Sequence, residues 1–274
     1  MFNGKTLKQE EYTVNNASSK WLATYLYYAE PWESFLSNVV KHFIEKVLRE
    51  NLAEQFFFIR YWEKGPHIRL RFKGRTELMD SVLQPRLEKY FHDYFNIHPS
   101  RRDEPEWIKQ LPEDHAWLPN NSVQFIEYEP EIERYGGPNG ILISERQFQA
   151  SSQCVLEILS ESEEWDYQRA LGAAIQMHLG LAYGMGMSLY ETTEFYRYVA
   201  AIWMNAHTIN PTLTPDETKQ NREMTMNMFK ENFEKQKDTL VAFHGMFWHA
   251  ALDGIEFEQD WLNNWINNVK NIFF

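Results

Sequence analysis

Cysteine is nearly missing from this 274-residue chain; Cys154 stands alone. A lone cysteine cannot close an internal disulfide, which fits a reducing cytoplasm, and it excludes paired-cysteine metal motifs. Basic residues are also scarce, with 27 Lys and Arg against 39 Asp and Glu and a formal charge of −12. Affinity for nucleic acid comes mainly from Lys and Arg neutralising phosphates, so that balance speaks against wrapping a phosphate backbone. No eighteen apolar residues follow one another without interruption, so no membrane insertion is expected. The opening MFNGKTLKQEEYTV carries charge but lacks the apolar stretch of a secretory signal. What the chain does have is 43% hydrophobic and 16% aromatic residues at a mean hydropathy of −0.56. Those values exclude a disordered or collagen-like chain and leave an acidic, cytoplasmic globular protein.

The first half mixes strand and helix signals. WLATYLYY (21–28) is rich in β-favouring aromatics, and Pro31 is placed to open a helix. Trp32, Phe35, Leu36, Val39, Val40, Phe43, Ile44, Val47 and Leu48 then keep helical spacing, which predicts one amphipathic helix over 31–50. FFFIRYW (56–62) and HIRLRFK (67–73) flank a Gly-Pro turn and read as a hairpin. A second helix is expected over about 76–95, with Pro85 as a kink. A Pro-rich loop covers 97–120, and SVQFIEYE (122–129) alternates as another strand. From about 142 the pattern turns helical, with Ser144 and Gln147 as a capping box and further helices at 166–185, 190–206, 238–252 and 257–272. Thr214-Pro215-Asp216-Glu217 opens another. The expected class is α+β: an antiparallel sheet with helices over 1–141 and a mainly helical half over 142–274, in one domain.

Alternation along His67-Ile68-Arg69-Leu70-Arg71-Phe72 puts Ile68, Leu70 and Phe72 on one face and His67, Arg69 and Arg71 on the other. Two guanidiniums so placed can grip one anionic group, although composition alone favours the plainer reading of a solvated face paired with acids elsewhere. Glu129-Pro130-Glu131-Ile132-Glu133-Arg134-Tyr135-Gly136-Gly137-Pro138 brings a further arginine to a Gly-Gly turn, which also reads as a charged strand ending. His244 and His249, five apart on a helix, do not share a face and do not suit a metal pair. His178 reads most simply as a core or groove histidine, and Gly184-Met185-Gly186 follows a helix instead of a strand, so it is no dinucleotide fingerprint. No metal, nucleotide or redox cofactor is expected.

FFFIRYWEKGPHIRLRFKG (56–74) and EYEPEIERYGGPNG (127–140) closely resemble the hallmark stretches of the thiopeptide-type bacteriocin biosynthesis domain. That family includes the C-terminal elimination domain of class I lanthipeptide dehydratases such as the nisin dehydratase. The resemblance runs the whole chain in order and implies a stand-alone subunit of a split system. It implies glutamate elimination from glutamylated Ser or Thr of a precursor peptide, after a partner dehydratase subunit has esterified those residues from glutamyl-tRNA. The implied catalytic residues are Arg69, Arg71 and Arg134, with a histidine as base, and the implied substrate-binding residues are His67, Glu131 and Tyr135. The implied partners are the precursor peptide, both leader and glutamylated core, and the glutamylating subunit, without direct tRNA binding; a homodimer stays open.

The chain departs from the family at one place. Its elimination enzymes carry a His-Met-x-x-Asn-Arg stretch, and here the corresponding helix reads FHGMFWHAALDG (243–254). Met246 falls where the histidine would be, leaving His249 and His244 as candidate bases, with His249 the nearer in helical phase. Two rival readings follow: a [4+2] pyridine synthase of thiopeptide assembly, and a non-catalytic module that binds the precursor peptide or the dehydratase.

Overall fold

A computed structural model describes residues 19–110, 112–162, 164–208 and 213–274; the opening segment read for a signal lies outside them. The fold is α+β, and the chain forms two compact units that meet in sequence between Tyr167 and Gln168.

The first unit is built on a four-stranded antiparallel sheet ordered β2-β3-β1-β4. Its strands are β1 (Ser19–Tyr27), β2 (Gln55–Tyr61), β3 (His67–Arg75) and β4 (Ser122–Phe125). β2 and β3 form the expected hairpin, with Tyr61 opposite His67 and Phe57 opposite Arg71. β4 is shorter than the alternating run 122–129 suggested, because the chain leaves the sheet after Phe125.

Helix α1 runs from Glu33 to Arg49, with a π turn at Leu36–Val40 joining its α-helical ends. Pro31 precedes it instead of occupying its first turn, since Trp32 is the N-cap. Helix α2 runs from Thr76 to Ile97 and takes a π turn at Met79–Leu83 just before Pro85. Proline has no N–H to give, and the wider turn absorbs the missing bond without a break. Both helices press on one sheet face, where Leu26, Ile68, Leu70 and Phe72 meet Val40, Phe43, Val47, Leu83 and Leu87. Burying that many large apolar side chains, each stabilising by roughly 1.5–3 kcal/mol, fixes which face of β3 points inward.

Helix α3 (Gly137–Ser160) runs along the outer edge of β2. There the Ser152 hydroxyl accepts from the Phe58 N–H at 3.1 Å and sits 3.4 Å from the Phe58 carbonyl, so a side chain meets main-chain groups that no strand pairs. The capping box expected at Ser144 is not the start of this helix. Gly136 and Gly137 hold φ of 83° and 84°, and Pro138 sits in the first turn, so the helix opens seven residues earlier.

The second unit contains α4 (Tyr167–Gly184), α5 (Leu189–Thr208), α6 (Pro215–Leu252) and α7 (Asp260–Phe273). The helix expected over 238–252 is the end of one 38-residue helix. Its start is as expected, with the Thr214 hydroxyl accepting from Glu217 N–H at 3.3 Å and the Glu217 carboxylate accepting from Thr214 N–H at 2.8 Å. Gly180 and Gly184 let α7 approach α4 closely: a Cβ at either would stand within 2.8 Å of Trp265 or Val269. The Gly-Met-Gly stretch is thus accounted for by packing and turn geometry.

Candidate functional site

The second face of the sheet carries the basic side chains of β3. β3 lays His67, Arg69, Arg71 and Lys73 along it, because its even-numbered residues are committed to the core. The register sets β1 on one side of this cationic row, pairing Trp21 with Lys73, Ala23 with Arg71, Tyr25 with Arg69 and Tyr27 with His67. β2 supplies the other side, with Phe57, Ile59 and Tyr61 opposite Arg71, Arg69 and His67. A file of basic side chains is therefore railed by aromatic rings.

Each of these side chains is held differently. His67 is fully buried, with Nδ1 2.8 Å from the Gly65 carbonyl and Nε2 accepting from Arg69 Nε at 3.1 Å. Nε2 accepts, so the ring proton sits on Nδ1 and is donated to Gly65. Burial pushes the His67 pKa down to about 4, keeping the ring neutral. Arg69 lies over Tyr61 at 3.6 Å and Tyr25 at 4.7 Å and pairs with Glu63 at 3.0 Å. Lys73 pairs with the buried Glu145 at 3.4 Å.

Arg71 stands between them. It is 8% exposed, with the rings of Tyr128 at 4.3 Å and Phe57 at 5.0 Å from its guanidinium carbon. Among the described residues no carboxylate lies within ion-pair distance of it, and its Nε has no hydrogen-bond partner. Desolvation draws its pKa below the ordinary arginine value, while the Tyr128 and Tyr25 hydroxyls oppose that shift. Tyr128 is itself raised to about 12 by burial and by the Glu145 carboxylate, so its hydroxyl keeps its proton. A buried guanidinium with no counter-ion is costly by itself and becomes favourable when an anion joins it.

Arg69 and Arg71 share the face, and aromatic rings close over both. Arg134 lies on the turn before α3, its side chain 69% exposed, and both Glu131 oxygens are 3.1 and 3.2 Å from its Nη1. Its guanidinium carbon lies 5.9 Å from the Tyr135 ring, which leads through Phe148 to Phe57 beneath Arg71, each step about 5.2 Å. The Glu131 carboxylate bonded to it raises the Arg134 pKa above the ordinary arginine value. His244 and His249 are exposed on α6 of the second unit, and His249 Nε2 is 3.4 Å from Asp253. His178 also belongs to that unit, bonded to the Tyr196 hydroxyl at 3.1 Å.

Sequence reasoning missed Tyr25, Tyr61, Lys73, Tyr128 and Glu145. The alternation of Trp21, Tyr25 and Tyr27 in β1 was the available signal for the ring rail. Glu145 carried none, since it reaches Lys73 across 72 residues.

Fold and site together define an α+β protein whose sheet face sets basic side chains among aromatic rings. The family described as "Lantibiotic biosynthesis dehydratase C-term" matches residues 21–272, and the chain belongs to it. Subtilin biosynthesis protein SpaB of Bacillus subtilis is 35% identical over 99 residues, which are 36% of this chain and 8% of that protein. The chain therefore matches less than a tenth of that relative's length. Among solved structures, the pyridine synthase TbtD from thiomuracin biosynthesis has a similar fold at TM-score 0.69 and 14% identity, over 92% of this chain and 80% of that one. TsrL is similar at TM-score 0.58 and 14% identity, over 93% and 67%. No described helix is long and apolar enough to cross a membrane, and the described residues contain no group of three His, Cys, Asp or Glu that could hold a metal ion.

Proposed function

We propose that this chain eliminates glutamate from glutamylated Ser or Thr of a ribosomally made precursor peptide, leaving dehydroalanine or dehydrobutyrine. The observation that carries the reading is Arg71, a nearly buried guanidinium with no carboxylate partner among the described residues, on a face that also presents Arg69 and Lys73. In the reaction a base removes the Cα proton, the Cβ–O bond breaks, its electrons leave on the glutamate carboxylate, and a Cα=Cβ double bond forms. Two anions develop, an enolate-like peptide carbonyl and the departing carboxylate. Preorganised guanidiniums suit both, and removing one such donor costs about 100- to 1000-fold in rate. Arg71 takes the departing carboxylate, Arg69 steadies the enolate, and Arg134 with Glu131 and Tyr135 binds the glutamyl end. His67 acts behind Arg69, fixing its Nε. His249 serves as base, with Asp253 orienting its ring, and His244 is the alternate. The partners are the precursor peptide and a glutamylating dehydratase subunit.

Co-expression with precursor and glutamylating enzyme tests this. Arg69→Ala and Arg134→Ala should yield precursor that keeps its glutamyl esters by mass spectrometry, and normal dehydration in both would sink the mechanism. One observation favours a second reading, [4+2] pyridine synthesis: FHGMFWHAALDG (243–254) lacks the Asn-Arg pair of the family's elimination enzymes.

A further inference from the structure

β1 is covered unevenly along its outer edge. β4 pairs with Thr24 to Tyr27 only, and a single further bond runs from Ile126 N–H to the Ala23 carbonyl at 3.3 Å. Main-chain groups alternate sides along a strand, so that bond makes the odd-numbered residues the outward set. The N–H and C=O of Trp21 therefore point outward beyond the end of β4. Past Phe125 the chain splays away from β1, opening a cleft of 430 Å³ lined by Lys20, Trp21, Phe125, Glu127, Tyr128 and Pro130.

We propose that this cleft takes an extended polypeptide as an added strand on β1, and that its occupant is the segment of precursor peptide bearing the glutamyl ester. The proposal rests on the elimination reading above. A helix could not use the outward main-chain groups of Trp21, whereas an extended peptide pairs with them and gains affinity without sequence demands. The cleft also adjoins the cations. Ala23, the smallest side chain that β1 places on the cationic face, is in register with Arg71, and Tyr128 both lines the cleft and covers the Arg71 guanidinium at 4.3 Å. Side chains of an added strand alternate faces, so the residue paired with Trp21 projects onto the cationic face beside Ala23 and Arg71. A glutamyl group on such a residue arrives at the guanidinium that has no carboxylate partner among the described residues.

The probe is a decapeptide with one 2,3-diaminopropionate acylated on its side-chain nitrogen by glutamate, an amide in place of the ester that cannot be eliminated. Its binding to the full chain is measured together with amide exchange at Trp21. Main-chain N-methylation at successive peptide positions should weaken binding about tenfold at alternate positions only, and the bound peptide should slow Trp21 exchange. Absence of binding, indifference to methylation, or unchanged Trp21 exchange would each overturn the docking site. So would Trp21 protection without peptide in a chain that sediments as a dimer. Glutamate release by the same preparation from the ester peptide is read separately, so a failed docking site is distinguishable from a failed elimination reading.

Discussion

Replacing Arg71 with methionine separates function from stability. The guanidinium is 8% exposed and has no carboxylate partner among the described residues, so folding removes it from water without an ion pair in return. That desolvation costs several kcal/mol. Two ring faces, Tyr128 at 4.3 Å and Phe57 at 5.0 Å, return about 0.5–2 kcal/mol each. The opposing terms nearly cancel, and a flexible thioether fills the same aromatic slot without a charge to desolvate. Arg71→Met should therefore leave unfolding free energy unchanged or raise it by about 1 kcal/mol, a shift of roughly 2–4 °C in melting temperature. Leu70→Ala, one residue away on the core face and fully buried, should instead cost about 2–5 kcal/mol. Glutamate release by Arg71→Met should fall about 100- to 1000-fold. Denaturant melts and release assays on the same samples decide it. A loss of about 2 kcal/mol or more would make Arg71 a structural residue, and unimpaired release would refute its part in the reaction.

Four further outcomes follow from named contacts. His67 is neutral in the fold down to about pH 4, whereas in the unfolded chain it takes its proton near 6.5; stability should thus be complete above about 6.5 and decline as pH falls toward 4, by up to about 1.4 kcal/mol per unit, and His67→Gln should flatten that part of the urea-melt profile. Ser152→Ala leaves the Phe58 N–H without its acceptor and should cost about 1 kcal/mol by chemical denaturation. Thr214→Ala removes the capping box of α6 and should cost about 1 kcal/mol, seen as faster amide exchange in its first turn. Arg134→Ala, at an exposed ion pair, should leave the melting temperature unchanged while glutamate release is lost.

The parts of the fold legible in the sequence are those with a repeating period. α1, the β2–β3 hairpin and the two faces of β3 follow from spacing, and Thr214-Pro215-Asp216-Glu217 announces α6 by its own chemistry. Ser144 misled because a capping pair inside a helix looks the same as one at its start, while the true start lies in two positive-φ glycines that read as a loop. The arginine row was visible, but its enclosure was not. That depends on Tyr25, Tyr61 and Tyr128 arriving from three other segments, and on Glu145 engaging Lys73, so that among the described residues Arg71 has no carboxylate partner.

The most direct test of the central claim is a mass spectrum of a synthetic peptide carrying one O-glutamyl serine after incubation with the purified chain. The account predicts conversion to dehydroalanine with one glutamate released per ester, and no conversion with Arg71→Met. An ester that stays intact with the unaltered chain, or release that is indifferent to Arg71, would contradict it.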